Sequence, residues 1–389
     1  MKVFILAGEP SGDKLGGALM AGLSSLGTVE YQGVGGANMQ AQGLASLFDM
    51  SDLSVMGLLE VLPKVPKLLR RVKQTVAAAK AFAPDVLITI DSPDFCLRVA
   101  SKVKEANPNL KVVHYVAPSV WAWRPERAEK MAKTVDHVLA LLPFEPPYME
   151  KAGMSCDFVG HPVAAEPEPS EAELDALAEE LGLRRDRPII CLLPGSRKGE
   201  VARMGPIYRW SIGPSARDVA GVQILMPAAG AVLEQVKDLV EDWALRTYIL
   251  DPTGFSAEEA EHRKRIAFRL STVALATSGT VALELAAAEC PMVVAYKANY
   301  LTTRMVKKMA LIDTANLINI VTDTRVIPEF LFENCTAEQI GPVLANLLSD
   351  DAARAAQRDA CVQTIDALGR GGEDPGLRAA KSVMAFLVR

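Results

Sequence analysis

At 389 residues, half of them hydrophobic and 23% charged, the chain is too long for one ordinary core and too apolar to stay disordered, so two folded domains are expected. A formal net charge of −5 argues against a general nucleic-acid binder. The six cysteines form no Cys-x-x-Cys pair and the four histidines are scattered, which argues against a zinc site or a disulfide framework.

The first element is a buried strand ending near Ala7. The turn Gly8-Glu9-Pro10-Ser11-Gly12-Asp13 follows, and then an amphipathic helix marked by Leu15, Leu19 and Leu23. This turn is a poor phosphate loop. Glycines at 8, 12, 16 and 17 do not fit Gly-x-Gly-x-x-Gly, no Gly-Lys-Ser/Thr follows, and Glu9 and Asp13 would repel a phosphate. Two readings stand: a strand-to-helix turn with Ser11 or Asp13 near an N-cap, or Glu9, Ser11 and Asp13 as partners for the hydroxyls of a sugar-like substrate. No apolar leader with a cleavage site and no bilayer-spanning run is found, so the expected compartment is the cytoplasm.

The segment 55–73 mixes Val55, Met56, Leu58, Leu59 and Leu69 with Lys64, Lys67, Arg70, Arg71 and Lys73. Residues 300–312 repeat that mixture. Each reads either as a core helix with a solvated basic face or as a helix that lies on an anionic membrane surface.

A strand at 86–90 runs into Asp91-Ser92-Pro93-Asp94. The two carboxylates lack a third ligand nearby, which disfavours a metal site. Asp91, directly after a buried strand, reads as a general base or as the cap of the next helix. A strand at 112–116 carries His114, expected to be a satisfied core residue. It leads into Ala117-Pro118-Ser119-Val120-Trp121-Ala122-Trp123-Arg124, where the tryptophans read as packing and Arg124 as a phosphate contact still open. A strand at 138–142 follows, and then a proline-rich acidic linker at 160–173.

Beyond the linker the alternation restarts, with strands at 189–193, 222–226, 248–250, 273–276 and 292–296. Alternating strands and helices predict parallel sheets covered on both faces. The expected organisation is two Rossmann-like domains, 1–163 and 164–373, facing a central cleft. Ligands in such sheets sit beyond the carboxyl ends of the strands. Those ends carry carboxylates in the first half. In the second half they carry Pro194-Gly195-Ser196-Arg197 and Thr277-Ser278-Gly279-Thr280. Hydroxyls, amides and a helix start at Ser278, Gly279 and Thr280 suit phosphate oxygens, and Arg197 adds an ion pair to a diphosphate. Glu284, one turn into that helix, suits the hydroxyls of a ribose. The second half therefore reads as a nucleoside-diphosphate domain.

Taken together, "AGEPSGDKLGG", "GVGGANMQAQG", "VMGLLEVL", "IDSPDF", "HYVAPSVWAWRPER", "LPFE", "FVGHP", "LLPGSRKGEV" and "SGTVALELA" resemble the lipid-A-disaccharide synthase family, in the family's order and over nearly the whole chain. The resemblance implies an α/β protein of the GT-B fold and an inverting glycosyltransferase that requires neither metal nor cofactor. It implies transfer of 2,3-diacylglucosamine from UDP-2,3-diacylglucosamine to 2,3-diacylglucosamine 1-phosphate (lipid X). The products are a β-1,6-linked disaccharide 1-phosphate and UDP. It also implies peripheral association with the cytoplasmic face of the inner membrane. The family's base falls on Asp91 and its essential arginine on Arg197, beside Ser196. Its motif glutamate falls on Glu284. Its Leu-Pro-Asn asparagine falls on Asn319, with Ile318 in the proline's place and Asn316 as a rival. Glu9, Ser11, Asp13 and Arg124 then belong to the acceptor side. A final helix at 374–389 either packs on the first domain or exchanges between the subunits of a homodimer. The alternatives are a UDP-N-acetylglucosamine 2-epimerase-like enzyme, a nicotinamide oxidoreductase and a two-lobed solute-binding protein. The oxidoreductase requires a fingerprint the sequence lacks, and the binding protein would usually carry a secretion signal.

Overall fold

Short aliphatic runs buried on both sides build the strands, as expected for parallel sheets sandwiched by helices. The computed structural model describes residues 1–53 and 65–388. These form two compact units, Met1–Ala165 with Leu368–Arg389, and Glu166–Ala367.

In the first unit, strands β1 (Lys2–Ala7), β2 (Glu30–Val34), β3 (Val86–Ile90), β4 (Lys111–Tyr115), β5 (His137–Ala140) and β6 (Ser155–Phe158) pair in parallel in the order β2-β1-β3-β4-β5-β6. Alternate side chains serve opposite faces. Phe4, Leu6, Leu87 and Val112 pack under the helices Val65–Phe82 and Pro93–Ala106. Val3, Ile5, Ile88 and Tyr115 pack under Pro10–Leu26 and the C-terminal helix Pro375–Leu387.

That last helix returns to the first unit of its own chain. Its Gly376 and Gly22 of Pro10–Leu26 let two backbones touch, since a Cβ on Gly22 would lie 2.7 Å from the Gly376 carbonyl oxygen. Ser382 joins it to the sheet by hydrogen bonds with His137 Nε2 (2.8 Å) and Asp157 (2.7 Å), and Phe386 stacks on His137.

In the second unit, β7 (Ile189–Leu193), β8 (Gln223–Pro227), β9 (Thr247–Leu250), β10 (Val273–Thr277), β11 (Met292–Tyr296) and β12 (Glu329–Leu331) form another parallel sheet, ordered β12-β11-β10-β7-β8-β9. Ile190, Leu192, Met226 and Leu275 pack toward the helices Lys198–Asp218 and Ala337–Ser349. Ile189, Leu225 and Leu250 pack toward Glu171–Leu181 and Ala257–Leu270. The segment read as a linker is partly ordered: Pro162–Ala165 forms a short 3-10 turn, and Ser170 and Glu173 close a capping box on Glu171–Leu181.

Each sheet grows outward from a pair of strands between which the strand order reverses. These pairs are β1/β3 in the first unit and β10/β7 in the second. Crevices beyond the carboxyl ends of such a pair are where doubly wound sheets bind ligands.

Candidate active site

At the first reversal, β1 delivers Gly8 and Glu9 and β3 delivers Asp91 and Ser92. Asp91 (φ 48°) and Ser92 (φ 42°) are consecutive non-glycine residues in the left-handed region. The next strand adds Val116 (φ 81°), a β-branched residue for which this conformation is an outlier, and the loop after it adds Arg124 (φ 49°). Strain of this kind costs about 1–3 kcal/mol per residue and gathers where function demands a geometry. Here it gathers at the carboxyl ends of β3 and β4.

Asp91 is half-buried. Its amide donates to the Tyr115 carbonyl oxygen (3.0 Å), and its carboxylate has no hydrogen-bond partner among the described residues. Ser92 takes the N-cap position of Pro93–Ala106, so the cap reading of Asp91 falls away, while Asp94 lies exposed in that helix's first turn. Gly8 makes the crevice narrow: a Cβ there would lie 2.5 Å from Ser92 Oγ and 2.8 Å from Ser92 Cβ.

The neighbouring acidic turn divides. Glu9 occupies the N-cap position of Pro10–Leu26, half-buried, and Ser11 is exposed in the first turn. Asp13 corrects the sequence reading. It is 3% exposed and turned inward. Its Oδ1 accepts from the amides of Gly36 (2.7 Å) and Met39 (3.1 Å), and its Oδ2 from the amide (2.9 Å) and side chain (2.8 Å) of Asn38. The open amides at the start of the helix Ala37–Ala41 attract this carboxylate more strongly than solvent does, so it fixes that helix and is not offered to a substrate. Beside the turn, Pro10, Gly36, Gln40, Ser46 and Ser51 help to line a concavity of about 530 Å³.

In the loop after β4, Trp121 packs edge-on to Phe144 (5.1 Å) and donates to Glu145 Oε1 (3.3 Å). Glu145 also accepts from the Leu142 amide (3.0 Å), and burial pushes its carboxyl up to about 7. The Arg124 guanidinium lies over Trp123, 4.4 Å from the ring centre. His114 is a core residue with Nδ1 2.7 Å from Thr89 Oγ1, and burial pulls its imidazole down to about 4.

At the second reversal, the residues after β7 and β10 line one cavity of about 600 Å³: Ser196, Arg197, Ser278, Gly279, Thr280 and Glu284. Gly195 turns at φ 120°, where a side chain would be strained, and the space beside it holds Glu200. Glu200 accepts from the Ser196 amide (3.1 Å) and from Arg197 Nη1 (3.1 Å). It thereby presents Arg197, whose side chain is 61% exposed, at the N-terminus of Lys198–Asp218.

The Ser278 amide donates to the Ala295 carbonyl oxygen (3.1 Å), so Ser278 offers its hydroxyl and not its N–H. The amides of Gly279, Thr280 and Val281 find no acceptor among the described residues and remain available to an anion.

Asn319, expected to bind the donor, is fully buried. Its Oδ1 accepts from the Ile327 amide (3.0 Å), and its Nδ2 donates to the Ile327 carbonyl oxygen (2.9 Å). Asn316 caps the helix Leu317–Thr322 through the amide of Ile318 (2.9 Å). Neither asparagine lines the cavity. Both hold the chain that leads to β12.

Sequence reasoning missed Lys264. Its ammonium lies 2.8 Å from Glu284 Oε2 and 2.5 Å from Glu261 Oε2, and all three residues line the cavity. No local spacing announces it, because Lys264 and Glu284 lie on different helices.

Among the described residues no group of His, Cys, Asp and Glu is placed to hold a metal ion, and no helix is long and apolar enough to cross a membrane. Part of the segment 55–73 lies outside the described residues. In the helix that begins at Val65, Lys67 and Arg71 pair with Asp52, while Val65 and Leu69 are exposed.

A family model described as lipid-A-disaccharide synthetase matches residues 3–375. The chain is 54% identical to the lipid-A-disaccharide synthase of Ruegeria pomeroyi, covering 99% of this chain and 95% of that one. It is 41% identical to that of Rhodospirillum centenum, over 100% and 95%. Among solved structures it resembles UDP-GlcNAc 2-epimerase from Neisseria meningitidis bound to UDP-GlcNAc (TM-score 0.63, 13% identity, all of both chains). It also resembles the calicheamicin glycosyltransferase CalG4 (TM-score 0.60, 15% identity, 100% and 98%). At such identities these two likenesses speak for the fold alone.

Proposed function

This chain belongs to the lipid-A-disaccharide synthetase family, and from that premise we propose how its residues divide the glycosyl transfer. It is a GT-B glycosyltransferase of lipid A biosynthesis that takes a UDP-activated sugar. In the proposed reaction the donor is UDP-2,3-diacylglucosamine and the acceptor is 2,3-diacylglucosamine 1-phosphate.

Asp91 accepts the proton of the acceptor 6-hydroxyl as that oxygen attacks the anomeric carbon from the face opposite UDP. The new C–O bond forms as the bond to the diphosphate breaks, so a single displacement inverts the configuration. Arg197 and the amides of Gly279, Thr280 and Val281 take up the charge that develops on the departing UDP. The two oxygens of Glu284 suit the ribose hydroxyls.

The observation that supports this reading most is that every donor-side residue expected from sequence, apart from Asn319, lines one cavity of about 600 Å³ at the strand-order reversal of the second sheet. Docking on the cytoplasmic face of the inner membrane belongs to the same reading. Exposed Val65 and Leu69, beside Arg70 and Lys73, support it.

The test is mass spectrometry of the products from UDP-diacylglucosamine and the acylated acceptor phosphate. A disaccharide 1-phosphate with stoichiometric UDP is expected. A C2-epimerised sugar nucleotide with no disaccharide would replace this reading with the epimerase one.

A further inference from the structure

The second-unit cavity is lined by charges of both signs: Glu200, Asp251, Glu261 and Glu284 against Arg197, Arg263 and Lys264. Glu200 is held by its chain neighbours Arg197 and the Ser196 amide, Asp251 by Thr253, and Arg263 by Glu180. Lys264 differs, because it joins two wall carboxylates that lie on different helices. Glu261 lies one turn earlier on the same helix, and Glu284 lies on the helix that starts the phosphate-binding end.

A glutamate on a short helix has three free torsions, and ordering it costs rotamer entropy. An ammonium fixed on one of its oxygens removes most of that freedom before any ligand arrives. Lys264 is three-quarters shielded from solvent and Glu284 about two-thirds, so the pair is less screened than a surface ion pair. The Glu284 Oε1 atom has no partner among the described residues. One oxygen is anchored, and the other belongs to a residue that lines the cavity and is left for a ligand. Burial disfavours the ammonium, but Glu284 and Glu261 together outweigh it and raise the Lys264 pKa, so the anchor stays charged at neutral pH.

We propose that Lys264 is a positioning residue that fixes the Glu284 carboxylate toward the paired hydroxyls of a ribose, and so makes the cavity select a ribonucleoside diphosphate over its 2′-deoxy counterpart. The proposal rests on the nucleotide reading of this cavity. Glu284 touches the sugar, and Lys264 acts through Glu284. A carboxylate bonded to both hydroxyls loses a charge-assisted hydrogen bond when one hydroxyl is missing, and it discriminates only if it is already aimed.

The experiment is calorimetric titration of the full-length protein with UDP and with 2′-deoxy-UDP, and the readout is the ratio of their dissociation constants. The two ligands carry the same charge, so the ratio is blind to any general loss of positive charge in the cavity. The unaltered chain is expected to prefer UDP by about tenfold or more. Lys264→Met is expected to bring the ratio within about threefold of unity, and Lys264→Arg to restore most of it. Lys264→Gln, checked by its melting curve, carries the test if Lys264→Met does not fold. Glu261→Gln, which leaves Glu284 as the sole carboxylate partner of Lys264 in the cavity, is expected to keep or raise the ratio.

If the unaltered chain binds neither ligand, the nucleotide reading itself fails; if it binds both equally, the nucleotide reading stands and the ribose-selecting role of Glu284 and Lys264 is overturned. If it discriminates and the Lys264 variants keep the full ratio, the positioning role alone is overturned.

Discussion

Replacing Gly8 with alanine tests the geometry of Asp91 without touching Asp91. The new Cβ would sit 2.8 Å from Ser92 Cβ, about 0.6 Å inside the shortest ordinary contact of 3.4 Å. Ser92 Oγ, at 2.5 Å, can rotate away, but its Cβ is fixed to the backbone, so relief requires the Asp91–Ser92 backbone to move. Overpacking of this kind costs about 1–3 kcal/mol, and a misplacement near 1 Å at a reacting group costs about a hundredfold in rate. Gly8→Ala is therefore expected to lower turnover by about tenfold to a hundredfold and to lower the melting temperature by a few degrees. UDP affinity, which the proposed mechanism assigns to the second unit, should stay within about twofold.

Ser92→Gly provides the control. It removes the atoms that clash, and glycine accepts φ 42° at little cost. The double variant Gly8→Ala/Ser92→Gly should recover to within about threefold of the turnover of Ser92→Gly alone. The assay is the initial rate of disaccharide formation followed by mass spectrometry, with a thermal melt of each variant. Wild-type turnover in Gly8→Ala, or a double variant as slow as Gly8→Ala, would refute the claim that this contact sets the position of Asp91.

Asp91→Asn should lower turnover by about 10²–10⁴-fold with UDP binding intact, and a near-normal rate would remove Asp91 from the role of base. Asp13→Ala strands four donors that now share one buried carboxylate; about 3 kcal/mol of unfolding free energy should be lost, read from denaturant titration. Burial holds His114 and His161 down to about 4, whereas an unfolded histidine titrates near 6.5. The unfolded chain therefore binds these protons first, and stability should fall as pH drops from 6.5 to 4, by at most about 1.4 kcal/mol per pH unit for each group. A flat stability profile over that window in urea titrations would contradict it. Gly376→Val places a side chain against the Ala18 carbonyl oxygen, where even a Cβ would lie at 2.6 Å; trypsin should then cleave at Arg378 and Lys381 sooner than in the unaltered chain.

Strands in the middle of each sheet were legible because both their faces are buried, which forces an uninterrupted apolar run, as in Val86–Ile90 or Ile189–Leu193. Three sheet-edge strands escaped the sequence reading. Glu30–Val34, Ser155–Phe158 and Glu329–Leu331 lie at sheet edges and carry Glu30, Gln32, Asp157 and Glu329, which break up the apolar run that marks a central strand.

The site divides along a similar line. Residues at or just beyond the carboxyl end of a central strand, such as Asp91 or Arg197, could be put forward for the site from their position in the chain. Asp13 was singled out for the right reason, a carboxylate near a helix start, but assigned to the wrong partner. Its partners are the amides of residues 36, 38 and 39, and chain proximity does not reveal them. Lys264 sits in "AEEAEHRKRIAFRL", a helix so rich in charge that one functional lysine has no local signature. Only the packing of two helices brings it to Glu284.

In the proposed reaction the two units put one topological position to opposite uses. At β1/β3 the reversal exposes a carboxylate on a left-handed backbone, wedged by a glycine on one side and flanked by the strained residue Val116 on the other. Such a group is costly to hold and cannot relax easily, which suits a base that must not follow the proton it takes. At β7/β10 the reversal exposes amides, hydroxyls and a guanidinium. These need no strained non-glycine residue, because Gly195 makes the turn and the helix starts supply the donors. A group that must stabilise charge on a leaving diphosphate gains from several weakly committed donors, whereas a base gains from a single fixed acceptor. Backbone strain on non-glycine residues therefore marks the first reversal and not the second. Arg124 (φ 49°) is the exception in charge within the first unit. A cation in the strained loop that follows β4 is suited to the anionic 1-phosphate of the proposed acceptor. Arg124→Ala is then expected to raise the acceptor KM more than tenfold while leaving the donor KM within twofold, in two-substrate initial-rate kinetics. An equal rise in both constants would place Arg124 outside acceptor recognition.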